Sequence, residues 1–194
     1  MFSGIVQKVG VVVGIQDSAG QRVVLIGTPA RWHLAAGESV AVEGVCSTVQ
    51  ARGARKFRVI YMNETLRRTT LGALEKGSPV NLERSLRLND VVSGHLVQGH
   101  VDTKATIRRI RQDGPARIYE FALPTRYLRY IVEKGSIAID GTSLTVVAAT
   151  ARGFSVSLLQ YTLAHTTLGT KQPGDRVNIE VDLVAKYVAK LARR

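Results

Sequence analysis

The 194-residue chain has a single cysteine, Cys46, and a single tryptophan. One cysteine excludes an intrachain disulfide and a cysteine-rich zinc site, and it suits a reducing compartment. Aromatic residues make up 6% of the chain, a poor supply for the stacking platforms that hold single-stranded nucleic acid. The longest apolar run, Val9 to Ile15, is interrupted by two glycines and falls far short of the roughly 20 residues a membrane-spanning helix needs. The opening MFSGIVQKVG has no basic leader followed by an apolar core and a cleavage site, so a secretory signal is not expected and the cytoplasm is the default location. Missing too are a G-x-G-x-x-G after a strand, a P-loop, G-x-S-x-G and H-E-x-x-H, which leaves most cofactor-driven chemistry without a visible site.

Acidic residues are also scarce: 15 Asp and Glu face 27 Lys and Arg, a net charge of +12. That balance raises nucleic acid as a partner. The cations are scattered over many segments with no basic tract, the pattern of a solvated basic surface, so no nucleic-acid partner is expected. What remains is ordinary globular usage, with 45% hydrophobic and 22% charged residues in a chain long enough to bury a core.

The dominant feature is an internal repeat. Shifting the chain by 97 residues lays Val40–Glu83 on Ile137–Glu180 without a gap, with 19 identities in 44 positions. The longest shared block is TLRRTTLG (Thr65–Gly72) against TLAHTTLG (Thr162–Gly169). Upstream the offset becomes 95, pairing Gly4 and Val6 with Gly99 and Val101. Within each half, short alternating β-branched runs such as Ser39–Glu43 and Phe57–Tyr61 are punctuated by turn residues, which reads as about six strands. A half this small buries one sheet face by closing on itself. The expected fold is therefore all-β: two tandem, similar six-stranded antiparallel barrels over 1–96 and 97–182. Helical turns are expected near 30–35, 65–71, 125–131 and 162–168, where threonines can cap. In the tail, 183–194, the residues Val184, Tyr187, Val188 and Leu191 recur at helical spacing. This amphipathic helix either caps the second barrel or makes an oligomer contact.

Where the halves differ, chemistry is easiest to look for. Cys46 in EGVCSTV faces Ser143 in DGTSLTV across the repeat, and Thr48 faces Thr145; the bland reading of Cys46 is a small buried residue in a tight strand. SGHLVQGHVD holds His95 and His100 five residues apart, a spacing that an extended strand places on opposite faces. No metal site is expected.

The segments MFSGIV, GESVAVEGVCSTV, NETLRRTTLG, GSPVNLERSLR, GHLVQGHVD, KGSIAIDGTSLTV, LLQYTLAHTTLG and GDRVNIEVD resemble, in order and over essentially the whole chain, the riboflavin synthase alpha-chain family. The resemblance implies a homotrimer of tandem barrels. It implies the dismutation of two 6,7-dimethyl-8-ribityllumazine molecules, by transfer of a four-carbon unit, to riboflavin and 5-amino-6-ribitylaminouracil, with no metal or redox cofactor. Juxtaposing two identical substrates is then the main task, for which a duplicated barrel is suited.

Carried over residue by residue, the resemblance implies a first pocket of Gly4, Ile5 and Val6 with Cys46, Ser47 and Thr48 and the stretch Met62, Asn63, Glu64, Thr65. A second would use Gly99, His100 and Val101, Lys134, then Ser143, Leu144 and Thr145, then Leu159, Gln160, Tyr161 and Thr162. Ring edges would be held by backbone groups and Thr48 or Thr145, and ribityl hydroxyls by Lys134, Glu64 and Asp182. Phe2 would cover the site from an adjoining chain. Ser39, Cys46, His95, Ser143 and Asp182 are the candidates for proton handling. The chain departs from the family pattern at Ser47, Ser93, Gln160 and Tyr161. The alternative reading is a non-catalytic lumazine- or riboflavin-binding protein of the same fold.

Overall fold

A computed structural model describes residues 1–28, 32, 34–53 and 55–192. The first half carries strands β1 (Lys8–Ser18), β2 (Gln21–Gly27), β3 (Ser39–Val42), β4 (Val45–Thr48), β5 (Ala51–Gly53), β6 (Lys56–Met62) and β7 (Pro79–Arg84), with helix α1 (Asn63–Arg68) after β6. The second carries β8 (Thr103–Asp113), β9 (Ala116–Ala122), β10 (Ser136–Ile139), β11 (Thr142–Thr150), β12 (Gly153–Leu158) and β13 (Arg176–Val181), with α2 (Gln160–His165) after β12 and α3 (Leu183–Leu191) at the end. All the strand pairings are antiparallel.

The second half is a closed six-stranded barrel in the order β10-β11-β12-β9-β8-β13. The first is a seven-stranded sheet, β4-β3-β7-β1-β2-β6-β5, and the extra strand has a simple origin. The counterpart of β11 is split into β4 and β5 around Val49 and Gln50, whose amides donate to Glu38 O and Arg58 O at 2.9 and 2.8 Å. Two residues thus join the ends of the sheet at a barrel corner. Bulges at Val13, Arg108 and Val147 bend the long strands β1, β8 and β11 around their barrels.

Alternation sends Val40, Val42, Val45, Phe57, Val59 and Tyr61 inward to form the first core, while Ile137, Ile139, Val146, Phe154, Val156 and Leu158 do the same in the second. The expected turns at 65–71, 125–131 and 162–168 appear as α1, a 3-10 segment over Thr125–Tyr130, and α2, with further 3-10 turns at Thr70–Ala73 and Thr167–Thr170. Half of the one expected at 30–35, residues 30, 31 and 33, lies outside the described residues. Threonines stand at the C-terminal ends of α1 and α2, and Thr69 also caps the 3-10 turn that follows, accepting from Leu71 N at 3.3 Å. Thr69 and Thr166 donate their hydroxyls to Thr65 O and Thr162 O at 2.6 and 2.7 Å, whereas Met62 and Leu159 begin the two helices without a side-chain cap.

The barrels meet on a pseudo-twofold seam that repeats the sequence duplication in space. Gly44 and Gly141 lie against each other at φ +75° and +78°, and a Cβ on Gly44 would stand 2.5 Å from Gly141 N. Asn81 Nδ2 donates to Asp140 O at 2.9 Å and Asn178 Nδ2 to Glu43 O at 2.8 Å. Their amide oxygens accept from Thr167 N and Thr70 N at 2.8 and 2.7 Å. Beside them, Phe2 pairs with Val97 as an isolated antiparallel bridge within an apolar cluster that includes Ala41 and Ala138.

Two acids are sealed in this seam. Glu43 is 3% exposed and Asp140 0%. Burial pushes both carboxyls upward, and their mutual repulsion adds to the rise at Glu43. Among the described residues Asp140 Oδ2 has no hydrogen-bond partner, and Lys171 Nζ lies 4.0 Å from it.

Candidate active site

The residues leading into each barrel reach across the seam to the other barrel. Glu83 on β7 accepts from Ser3 N and Gly4 N at 2.7 and 3.1 Å, while Gly4 O accepts from Ser143 N on β11 at 2.7 Å. The mirror arrangement has Glu180 on β13 accepting from Gln98 N and Gly99 N at 2.7 and 2.8 Å, with Gly99 O accepting from Cys46 N on β4 at 2.9 Å. Gly4 and Gly99 have φ of +75° and +79°, and a Cβ on either would stand 2.6–2.7 Å from Ser143 Cβ or Cys46 Cβ. Burial raises the carboxyls of Glu83 and Glu180, against the pull of the amides they accept.

This crossing corrects the grouping of the candidate residues. Cys46 shares a pocket of about 210 Å³ with Glu64, Thr65, Gly99, His100 and Val101, and Gly4 belongs beside Ser143. No sequence spacing encodes the exchange, because it is made by tertiary contacts 95 residues out of step.

On the first barrel, cross-strand register puts Ser39 opposite Thr48 and Ala41 opposite Cys46. Ser39, Cys46 and Thr48 thus share the outward face of β3 and β4. Met62, Asn63, Glu64 and Thr65 follow at the junction of β6 and α1, with Met62 60% exposed. Arg68 and Arg67 pair with Glu64 and hold its carboxyl below the ordinary range.

Ser47 points the other way, into the barrel. Its hydroxyl donates to Val45 O at 2.9 Å and so accepts from the Tyr61 hydroxyl at 3.0 Å. The second barrel has Leu144 and Leu158 at these positions. The departure at Ser47 thus exchanges an apolar contact for a hydrogen bond in the core, and its side chain is not part of a pocket wall.

On the second barrel, Ser143 Oγ and His95 Nδ1 lie 2.7 Å apart. Burial lowers the His95 pKa, and the nearby negative charge of Asp182 partly offsets this. Asp182 also caps α3, with Oδ1 accepting from Val184 N at 2.9 Å. Thr145 is exposed on β11, while Leu144 is half-buried against the core. Ile5 is 44% exposed, Leu159 58% and Tyr161 74%, and Gln160 and Thr162 lie between and beside them on α2. Val6 is half-buried in the opening segment. Lys134 holds a left-handed backbone at φ +64° where the first half has Gly37. A lysine there is strained relative to glycine.

Burial and contact also place Phe2 and the two histidines of the junction segment. Phe2 is fully buried in its own chain between the barrels, and a ring packed there does not cover a neighbour's site. His95 and His100 serve different barrels, the one bonded to Ser143 and the other beside Cys46. The sequence reading missed Glu83 and Glu180 as the anchors of the crossing segments. Their signal was present in the shared VNLE and VNIE blocks.

The lumazine binding domain matches twice, over residues 3–85 and 98–182. The chain is 41% identical over 189 residues to the riboflavin synthase of Actinobacillus pleuropneumoniae, covering 97% of this chain and 88% of that one. The chain belongs to the riboflavin synthase family. Another member, the riboflavin synthase of Mycobacterium tuberculosis (strain ATCC 25618 / H37Rv), is 43% identical over 200 residues, covering 100% of this chain and 98% of that one. The fold is shared with LumP complexed with riboflavin, at a TM-score of 0.86 and 23% identity over 94% of this chain and 100% of that one. LumP complexed with 6,7-dimethyl-8-(1'-D-ribityl) lumazine matches at a TM-score of 0.84 and 22% identity, over 93% of this chain and 99% of that one.

Proposed function

We propose that this chain is a riboflavin synthase, converting two molecules of 6,7-dimethyl-8-ribityllumazine into riboflavin and 5-amino-6-ribitylaminouracil. The observation that carries the reading is identity of 41–43% to riboflavin synthases along the full chain, joined to two pseudo-equivalent sites on the duplicated barrels. The two substrate molecules contain all the atoms of the two products. The protein's contribution is to hold one molecule's acidic methyl group against the other's electrophilic ring carbon, worth about 7–11 kcal/mol when partners are well oriented, and to move protons.

The two sites are built for different parts in that exchange. At the offset of 95, His100 stands opposite Ile5, so the halves place their histidines differently. The second site therefore holds a Ser143–His95 pair with Asp182 nearby, whereas the first offers Cys46 with His100. A lowered His95 pKa keeps the imidazole neutral near pH 7, available to accept a proton from Ser143 or from a bound substrate. Ser39 and Thr48 on one barrel, and Lys134 and Thr145 on the other, supply polar groups for ring edges and ribityl hydroxyls.

The domains proposed are lumazine-binding barrels over 1–96 and 97–182 and an oligomerisation helix over 183–194. Lys186 ties α3 to Asp102 at 2.8 Å, yet Val184, Tyr187, Val188 and Leu191 remain 60–80% exposed. That stripe is the proposed contact of a homotrimer, in which the first barrel of one subunit meets the second barrel of the next. A pocket of 210 Å³ is smaller than the ~300–1,000 Å³ of ordinary ligand sites, as befits a site completed by a neighbour. No helix of the described residues is long and apolar enough to cross a membrane. The cytoplasm is the proposed compartment, where a half-exposed thiol such as Cys46 stays reduced.

Incubation of the purified protein with 6,7-dimethyl-8-ribityllumazine tests the activity. Riboflavin and the pyrimidine should appear in equal amounts. Chromophore that stays bound and unconverted would overturn the reading in favour of a carrier.

A further inference from the structure

A large cavity lies on the seam itself. It encloses about 800 Å³ between the barrels and is lined from the first half by Glu43, α1 and the turn after it, and from the second by Lys104 and the segment 167–176. Its wall shares only Thr69 with the pocket at Cys46. Four cations face it: Arg67, Lys104, Lys171 and Arg176. A second cavity of about 470 Å³ continues across Arg67, Lys104 and Arg176 to Arg68 and Arg126.

The repeat shows that the fold does not need this charge. Lys104 pairs with Asn178 as Val9 pairs with Asn81, and Arg176 sits on β13 as Pro79 sits on β7. Lys171 follows its 3-10 turn as Leu74 follows the first, and Arg67 stands in α1 where α2 has Ala164. Every cation in the cavity thus has an uncharged counterpart at the pseudo-equivalent place.

These cations are also poorly neutralised. Lys104 Nζ donates to Arg67 O at 2.6 Å and Thr69 O at 3.4 Å, and among the described residues no carboxylate lies within 4.0 Å of Lys104 or Arg176. Arg67 pairs with the exposed Glu64, and Lys171 reaches Asp140 only at 4.0 Å. Of the two acids in the wall, Glu43 is occupied by Asn81 N and the Thr167 hydroxyl, and Asp175 by Gln172 N. Partial burial lowers the Lys104 pKa, and repulsion from Arg176 lowers it further.

We propose that this inter-barrel cleft binds an organic phosphate of mononucleotide size, its phosphate held by Lys104, Lys171 and Arg176. Volume favours a small molecule over a strand of nucleic acid, since the space is a cavity between two barrels and its cations converge on it. The phosphate would neutralise the cluster, and the Thr70 and Thr167 segments of the wall offer polar groups to the rest of the ligand. The site is separate from lumazine turnover and does not depend on that activity.

Calorimetric titration of the full chain with adenosine monophosphate at about 0.15 M salt tests this, with adenosine, inorganic phosphate and a single-stranded oligonucleotide as further arms. The nucleotide should bind with a dissociation constant below about 1 mM. Adenosine and inorganic phosphate should each bind at least tenfold more weakly. The double variant Lys104→Val with Lys171→Leu, which installs the first half's own residues, should weaken nucleotide binding by roughly tenfold or more. Arg176→Gln, at an exposed and unpaired position, should do the same without touching the buried acids. No binding of the nucleotide, equal binding of inorganic phosphate, affinity unchanged in both variants, or an oligonucleotide that binds more tightly and expels the nucleotide would each overturn the proposal.

Discussion

Replacing Glu43 with glutamine isolates the cost of the sealed acids. Glu43 Oε1 accepts from Asn81 N at 2.6 Å and from the Thr167 hydroxyl at 3.1 Å, and a glutamine Oε1 can accept both. What disappears is the buried charge and its repulsion with Asp140, opposed in the native protein by the Asn81 amide, Lys171 and the Thr167 hydroxyl. A carboxyl whose pKa is raised on folding contributes its full stability below the unfolded value, near ~4.3 for Glu, and loses it as pH climbs through the folded value. Each unit of that rise is about 1.4 kcal/mol, so Glu43→Gln should gain on the order of 1–3 kcal/mol at about pH 8 and almost nothing near about pH 4.5. At roughly 2–4 °C per kcal/mol for a chain of this size, calorimetry should show the variant melting several degrees above the native protein at the higher pH only. A variant that melts lower at the alkaline end would refute the reasoning, because Glu43 would then be a charge the fold relies on. Glu83 and Glu180 also shift upward, but they are common to both proteins and cancel in the comparison, whereas Asp140 is relieved of its repulsion with Glu43 in the variant and shares in the gain.

Other consequences can be read at single positions. Ser47→Leu should cost about 1–3 kcal/mol by stranding the Tyr61 hydroxyl in the core. Adding Tyr61→Leu should recover most of that loss, and additive effects in a double-mutant cycle would contradict the pairing. For proton handling, the acid limb of the kcat/KM profile should fall below the ordinary histidine value of about 6.5 because burial lowers His95, and His95→Asn should remove that limb; a limb that persists would assign it to another group. Lys134→Gly should raise stability by about 1 kcal/mol by relieving the left-handed backbone while raising KM for the lumazine. Lower stability with unchanged KM would make Lys134 structural.

The architecture was legible because duplication leaves the same residues at the same offsets, and those identities fall on the seam. Asn81 with Asn178, Glu83 with Glu180 and Gly44 with Gly141 are shared because each pair makes the same contact twice. Alternation gave the core of both barrels. It missed the break at Val49 and Gln50, which follows from how one strand turns a barrel corner. The tail helix was readable from its stripe, and α3 spans Leu183–Leu191.

The site was harder to read, for a physical reason. Ser143 meets His95 across 48 residues, and Gly99 meets Cys46 across 53, distances that only tertiary packing closes. Pairing each opening segment with its own barrel was the natural inference from the repeat, and the exchange of those segments reverses it. Ser47 shows the complementary problem. A polar residue where the second half carries Leu144 looks like a change in a pocket wall until its partner Tyr61 is found inside the barrel.

The account as a whole rests on two berths per chain, each made by one barrel's β-hairpin and the other barrel's opening segment. Equilibrium binding of a non-reactive lumazine analogue measures this directly. Two molecules should bind per chain, with Gly99→Ala abolishing the one beside Cys46 and Gly4→Ala the one beside Ser143. One molecule per chain, or loss of both on either substitution, would contradict it.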